Sequence, residues 1–240
     1  MSRATAAPPK LAATILLLRD DPFEVLMIRR RAGESFGSAL VFPGGVVDAE
    51  DHQEHWLDRI ATGHDLPPIQ RALRIAGLRE VYEEVGLIAA GDGGQAGRPA
   101  AADFGEALGG VRLDLEALAP FGHWITPEGA PRRFDTYFFL CLSPPGPEAC
   151  CDGSEAIALE WAAPADLLAR ADAGERALLF PTRMNLARLA ESRSVAEALA
   201  AARARPIVTV LPQIERRPDG IVGRVPGDAG YPLTEIFMPY

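Results

Sequence analysis

The chain has 240 residues, of which 48% are hydrophobic and 24% are charged, and its net charge is −9. This balance is typical of a globular protein with a substantial core, and the acidic charge argues against a nucleic-acid surface, which needs clustered lysine and arginine. Three cysteines form no disulfide framework, and the chain contains neither an amino-terminal apolar segment nor 18 apolar residues in a row. We therefore expect a cytoplasmic protein with no nucleic-acid or membrane partner.

The chain begins with two β-prone runs, Leu11–Leu18 and Phe23–Ile28, which are separated by a polar turn and predict a hairpin. A short strand then runs into Pro43-Gly44-Gly45, where proline and paired glycines predict an irregular loop. Residues 51–68 are polar and contain Trp56, which we interpret as an anchor that packs this segment onto the body.

A helix is predicted from the proline pair at 67–68 to Val85, with Gly86 in place for a left-handed cap. On that helix Glu80, Glu83 and Glu84 fall within a sector of about 100°, opposite an apolar face. Such like-charge neighbours cost about 0.2–0.5 kcal/mol per pair when they are solvated. The carboxylate cluster is therefore either tolerated on a wet surface or offset by a cation.

After the helix, Leu87–Ala90 is a candidate strand and residues 91–100 are a glycine-rich candidate loop. The second half of the chain begins with a predicted short helix near 101–109, followed by predicted strands at 120–125, at 133–142 and in "AIALEWAAP". A helix is then predicted in "PADLLARA", which begins with proline, and another in the alanine-rich segment 187–202. The segment "PIVTVLP" predicts a late strand. Hairpins are frequent, so a mixed sheet flanked by helices is expected in one domain with insertions.

Two segments, "FPGGVVDAED" at 42–51 and "REVYEEVGL" at 79–87, together resemble the Nudix box. That box reads Gly, five residues, Glu, seven residues, then Arg-Glu-apolar-x-Glu-Glu-x-Gly-apolar. Its second half is matched at every specified position. In the first half Gly45 matches, but Asp51 replaces the glutamate and 27 residues instead of seven separate it from Arg79. The box therefore carries an insertion.

Other segments, "WITPEGAPRRFDTYFFL", "ALEWAAPADLL" and "LFPTRMNLARLA", look like the Nudix branch typified by the peroxisomal acyl-coenzyme A diphosphatase of animals. The resemblance implies an α/β fold: a Nudix-type α/β/α sandwich with a mixed β-sheet, a helical insertion inside the box and extra C-terminal helices. We expect a flexible tail at 1–10, the Nudix domain at 11–215 with its insertion at 51–68, and a C-terminal extension at 216–240 packed on the same domain.

The same resemblance implies metal-dependent hydrolysis of a diphosphate linkage in a nucleoside diphosphate joined to another moiety, with coenzyme A or acyl-coenzyme A as first candidates. Hard Mg²⁺ or Mn²⁺ bound by carboxylate oxygens would neutralise the diphosphate. The catalytic residues it implies are Glu80, which would orient or deprotonate water, Glu84, and Arg79, which would position the carboxylates. The implied metal ligands are Glu80, Glu83, Glu84, a carbonyl of Gly45 or Gly44, and a distal carboxylate, Glu155 first and Glu160 second.

Arg132 and Arg133 are candidates for substrate binding, since a guanidinium offers a planar fork to phosphate oxygens.

The expected partner is a small nucleotide-diphosphate substrate, and the question whether the protein forms a homodimer stays open. Two alternatives also stay open: an ADP-ribose or dinucleotide pyrophosphatase, and a non-catalytic nucleotide-binding Nudix module. Residues 51–68 are interpreted as a lid, a dimer contact or a packed flap, and a zinc site at His52, His55 and His64 is disfavoured because no cysteine is nearby.

Overall fold

The computed structural model describes residues 7–30, 39–89, 103–145, 148–151, 153 and 156–239. Glu155 and the glycine-rich loop predicted at 91–100 lie outside these residues, as does most of the predicted tail at 1–10. The secondary structure, contacts and charge counts given for the protein are those of these residues.

The described secondary structure contains 13 strands, five α-helices and three short 3₁₀ helices. The strands are β1 Lys10–Arg19, β2 Glu24–Arg30, β3 Leu40–Val41, β4 Gly44–Val46, β5 Ile60–Thr62, β6 Leu113–Asp114, β7 Ala119–Ile125, β8 Phe134–Leu142, β9 Ala156–Ala162, β10 Thr209–Val210, β11 Gln213–Arg217, β12 Gly220–Arg224 and β13 Glu235–Pro239. The α-helices are α1 Pro68–Val85, α2 Phe104–Leu108, α3 Pro164–Asp172, α4 Phe180–Leu189 and α5 Val195–Ala204, and the 3₁₀ helices are Glu50–His52, Glu54–Arg59 and Leu115–Ala117.

Eight strands form a mixed central sheet with the order β10-β7-β8-β1-β2-β3, in which β4 also pairs with β1 and β9 with β2. Strand β1 pairs with β8 in parallel along nine residues, Lys10 to Leu18. Its other edge pairs with β4 at Ala12–Thr14 and with β2 only at Leu18 and Arg19. Because β2 diverges from β1 in this way, β4 and its two glycines occupy the gap between them.

Both faces of the sheet are buried by helices, as the resemblance predicted for the α/β/α sandwich. Alternate residues of β1 serve the two faces: Ile15 and Leu17 pack in the cluster that contains α1, and Leu16 and Leu18 pack with α4 and α5. A strand covered on both sides reads as a continuous apolar run, which is why β1 was visible in the sequence without alternation.

The insertion is packed against the body through Trp56, as interpreted from the sequence. Trp56 is 5% exposed, and its indole N–H donates to the carbonyl of Glu50 over 3.0 Å. Its ring lies 5.7 Å from that of Phe104, which in turn lies 5.9 Å from the ring of Tyr82 on α1. The helical part of the segment consists of short 3₁₀ helices followed by β5.

Two predictions for local structure were wrong, and one sheet was not predicted. The alanine-rich helix at 187–202 is two helices, because Ser194 accepts a hydrogen bond from the N–H of Glu197 and starts α5 anew. No strand forms at Leu87–Ala89, where Leu87 makes a single bridge. The glycine- and proline-rich tail contains the antiparallel sheet β11-β12-β13.

The C-terminal sheet is joined to the body by a buried polar contact. The hydroxyl of Tyr231 accepts from the indole of Trp124 over 2.6 Å and donates to Asn185 over 3.0 Å.

Among the described helices, none combines the length and the hydrophobicity needed to cross a membrane.

Candidate active site

Helix α1 presents the three clustered glutamates in its last two turns. The helix ends as predicted: Gly86 adopts a φ of 71°, in the left-handed region, and its N–H donates to the carbonyl of Tyr82 over 2.9 Å. The apolar side of these turns is buried against the sheet, so the carboxylates are held at the edge where α1 meets β4.

Glu80 packs directly against Gly45. A Cβ atom at Gly45 would lie 2.3 Å from Oε1 of Glu80, so only glycine permits this approach. Burial raises the pKa of Glu80 above its usual value, although the charge of Arg79 opposes the shift. Oε1 accepts from Arg79 over 3.0 Å, and the described residues offer Oε2 no hydrogen bond. Glu80 is therefore a partly buried carboxylate with one oxygen left for a ligand.

Arg79 binds Asp51 through two parallel hydrogen bonds of 3.0 Å, and Asp51 is 1% exposed. The same guanidinium donates to the carbonyl of Val46 over 3.1 Å and to Glu83 over 2.9 Å. Burial by itself lowers the pKa of Arg79, but the hydrogen bond and charge of Asp51, with the charges of both glutamates, raise it overall. Asp51 thus meets Arg79 despite the 27 intervening residues, so the insertion does not separate these two side chains.

Glu83 is the exposed member of the three, with 48% of its side chain accessible. Burial raises its pKa above the usual value, while Arg79 lowers it and Asp51 and Asp48 raise it further. Its position beside Arg79 keeps it next to Glu80 at the same helix edge.

Glu84 is 2% exposed and is held between Arg30 and the glycine loop. Oε1 accepts from Arg30 over 2.6 Å, and Oε2 accepts from the backbone N–H of Gly44 over 2.9 Å. Arg30 also donates to the carbonyl of Gly44 over 2.5 Å. The sequence analysis did not identify Arg30. A signal was present: in a strand alternate residues share a face, and Arg30 follows the buried Leu26 and Ile28 on the face of β2 that meets α1.

Glu160 and Arg133 make their contacts away from the three glutamates. Glu160 on β9 is the strand-pairing partner of Met27, whose side chain packs on the sheet face that α1 does not cover. Its carboxylate forms an ion pair with Arg170 at 2.9 Å. The structure therefore does not bring Glu160 to the three glutamates. Arg133 donates to the carbonyls of Thr126 and Ala7, and Arg132 is exposed in the same turn.

The cluster has more negative than positive groups. Five carboxylates lie around two guanidinium groups, those of Arg79 and Arg30; the carboxylates are Asp48, Asp51, Glu80, Glu83 and Glu84. When all are ionised the excess is three negative charges, which favours a bound cation. Within the described residues no three acidic, histidine or cysteine side chains converge on one point, so a cation would compete with the arginines for these oxygens. The donors are all oxygen, the type that hard divalent ions prefer.

Comparison with known proteins points to one family. A family model described as NUDIX domain matches residues 8–181. The acyl-coenzyme A diphosphatase NUDT19 of Gallus gallus is 28% identical, with 88% of this chain and 73% of that protein aligned. Putative nudix hydrolase 7 of Caenorhabditis elegans is 31% identical over 75% of this chain and 60% of that protein. A solved NUDIX hydrolase from Alicyclobacillus acidocaldarius gives a TM-score of 0.65 at 29% identity, over 81% of this chain and 96% of that one.

Proposed function

Because this chain belongs to the NUDIX family and is a diphosphatase of nucleoside diphosphate derivatives, we propose that it hydrolyses coenzyme A or its acyl esters with Mg²⁺ or Mn²⁺ bound beside Gly45. The observation that carries the metal proposal is the excess of carboxylates over arginines in a partly buried cluster. A diphosphate group could not approach such a cluster without a cation to offset the repulsion.

Glu80, Glu83 and Glu84 would hold the metal, with a backbone carbonyl from Gly45 or Gly44. Oε2 of Glu80 supports this assignment, because it accepts no hydrogen bond from the described residues and so is available to a cation at the edge of the cluster. When bound, the metal would supply charge neutralisation at the diphosphate and lower the pKa of water. Glu155 stays a proposed distal ligand.

The protein residues have separable roles. Glu80, with its raised pKa, is placed to accept a proton from the attacking water and so to act as the general base. Arg79 fixes the side chain of Glu80 against Gly45 and ties it to the insertion through Asp51. Arg30 and the N–H of Gly44 hold both oxygens of Glu84. Exposed Arg132 is the proposed phosphate contact of the β7–β8 turn, with Arg133 behind it.

The substrate proposal is supported by the relatives and by the length of the match. Acyl-coenzyme A diphosphatases of chicken and of Homo sapiens align with 88% and 98% of this chain. Because pocket-forming loops decide substrate choice within a fold, this support is for a class of substrate. A cytoplasmic location, a homodimer and the domain limits at 10, 215 and 240 stay predictions from the sequence.

The test is a panel of coenzyme A, an acyl-coenzyme A, ADP-ribose and NADH, each with Mg²⁺, with Mn²⁺ and with a chelator. Water should add across the P–O–P linkage of the coenzyme A compounds and release 3′,5′-ADP and a 4′-phosphopantetheine, both identified by mass. Cleavage of ADP-ribose or NADH alone would replace the proposed substrate and keep the metal site. Binding of a nucleotide without any cleavage would favour the non-catalytic module.

A further inference from the structure

A row of side chains crosses the central sheet on the face that α1 covers. Strand pairing places Thr209, His123, Tyr137, Ala13 and Gly45 side by side in five neighbouring strands. Since adjacent strands lie about 4.8 Å apart, Tyr137 lies about 10 Å and His123 about 14 Å from Gly45. The row joins the carboxylate site to an aromatic pair.

His123 is fixed at both ring nitrogens. Nε2 lies 2.5 Å from Oδ1 of Asp135, and Nδ1 lies 2.8 Å from the hydroxyl of Thr209. Because a carboxylate only accepts, Nε2 donates to Asp135, and the Thr209 hydroxyl lies within hydrogen-bond distance of Nδ1. With 9% of its surface exposed and neither nitrogen left for a ligand, the imidazole serves to support its neighbour.

That neighbour is Tyr137, whose ring is stacked on the imidazole with centroids 4.0 Å apart and planes 19° apart. The second face of the Tyr137 ring is turned toward β1, where Ala13 contributes only a methyl group. Half-buried Leu11 and Val47 continue the apolar surface from Tyr137 to Gly45. The described residues give the Tyr137 hydroxyl no hydrogen-bond partner.

We propose that the β1-facing ring face of Tyr137 is the stacking surface for the purine base of the substrate, with His123 as the positioning residue behind it. The proposal rests on the proposed function, which places the diphosphate at Gly45 and Glu80. A flat aromatic ring suits a base because each offers a π-face. The row runs about 10 Å from the phosphate site, a separation suited to the ribose of one nucleotide.

The proposed substrates all contain an adenosine diphosphate half, so a base site at Tyr137 would be common to them. The competing occupant is the acyl chain of an acyl-coenzyme A, which an apolar strip could also contact. The two occupants differ in a measurable way: a base contact affects every substrate equally, whereas an acyl contact grows with chain length.

The test measures binding of AMP and of ribose 5-phosphate by calorimetry in the presence of Mg²⁺; neither ligand contains a P–O–P linkage, so turnover does not enter. In Tyr137→Leu we expect AMP to bind about tenfold more weakly, with ribose 5-phosphate unchanged. Tyr137→Phe should bind AMP as the parent does, because the ring is kept. Phe237→Leu is the matched control, since Phe237 is an aromatic residue of the C-terminal sheet with 46% of its surface exposed.

Three outcomes would overturn the base site: no AMP binding by the parent at millimolar concentration, equal AMP affinity in Tyr137→Leu, or a rise in KM of Tyr137→Leu that increases with acyl-chain length. A Tyr137-dependent AMP affinity in a protein that cleaves no diphosphate would keep this site and reject the proposed function instead. Far-ultraviolet circular dichroism of each variant would verify that the sheet is intact.

Discussion

Arg79 on α1 lies between Asp51, Glu80 and Glu83 with 11% of its side chain exposed, whereas Arg224 on β12 lies between Glu215 and Glu235 with 36% exposed. Both clusters are made of the same chemical groups. Their carboxylates respond in opposite directions, because burial raises the pKa of Glu80, whereas hydrogen bonds from Arg217 and Arg224 lower the pKa of Glu215 to about 2.

The difference follows from solvent and from charge balance. On the C-terminal sheet, Arg217 and Arg224 match Glu215 and Glu235 in number, and water screens them. Around α1, carboxylates outnumber arginines and are partly desolvated. An unbalanced, desolvated set of charges stabilises a fold poorly but is well suited to binding a cation.

The largest expected effect is that of Glu84→Gln on turnover. The amide can still accept from the N–H of Gly44, so the fold should persist, but the negative charge is lost from the proposed metal site. We expect kcat to fall by a factor on the order of 10²–10⁴. Glu215→Gln, the matched exposed change, should leave kcat unaltered. Near-normal activity in Glu84→Gln would reject the site assignment.

Asp51→Ala should have the largest effect on stability. It leaves Arg79 without its two-bond partner, and we expect the free energy of unfolding to fall by about 2–3 kcal/mol. Glu235→Ala removes a partner of Arg224 in the exposed cluster and should leave the urea midpoint unaltered. Similar midpoints for the two variants in urea denaturation would show that Asp51 does not join the insertion to α1.

Gly45→Ala should separate activity from stability. The new Cβ meets the Glu80 carboxylate, the far end of a flexible side chain, so Glu80 must move while the backbone stays in place. We expect kcat to fall by about 10²-fold, since displacing a catalytic group by about an ångström costs that much. Gly110→Ala is the control, because nothing lies within 4 Å of its added Cβ. A parent-like kcat in Gly45→Ala would contradict the contact.

The smallest expected effect concerns pH. Because the pKa of Glu80 is raised in the folded protein above its usual 4.5, the folded state binds more protons than the unfolded state. The stability that Glu80 contributes is therefore fully present below about pH 4.5 and is lost as the pH rises through the raised pKa of the folded protein. Glu80→Gln should make urea midpoints less dependent on pH in that window. Glu215→Gln should change the pH dependence of the urea midpoint only below pH 4.5, where protonation of Glu215 in the parent, with its pKa lowered to about 2, removes the stabilising pairs. Equal slopes for parent and Glu80→Gln would refute the shift.

Much of the fold and site was predictable from local patterns. The β1–β2 hairpin, the helix ending at Val85 and the glutamate cluster each depend on residues a few positions apart. One error also has a local cause, because alanine content hid the stop before Ser194. Strands β11 to β13 were not predicted. The importance of Arg30 was missed because its partner Glu84 is 54 residues away.

By itself the sequence determined the family, the α/β/α class and the three glutamates on one helix edge, because periodicity, a capping glycine and motif spacing are short-range properties of the chain. Only the tertiary structure decided that Asp51 reaches Arg79, that Arg30 holds Glu84, and that Tyr137 and His123 share a row with Gly45. These contacts depend on strand register and on where β2 diverges from β1. Register is set by packing across the whole sheet, and no local pattern of residues specifies it.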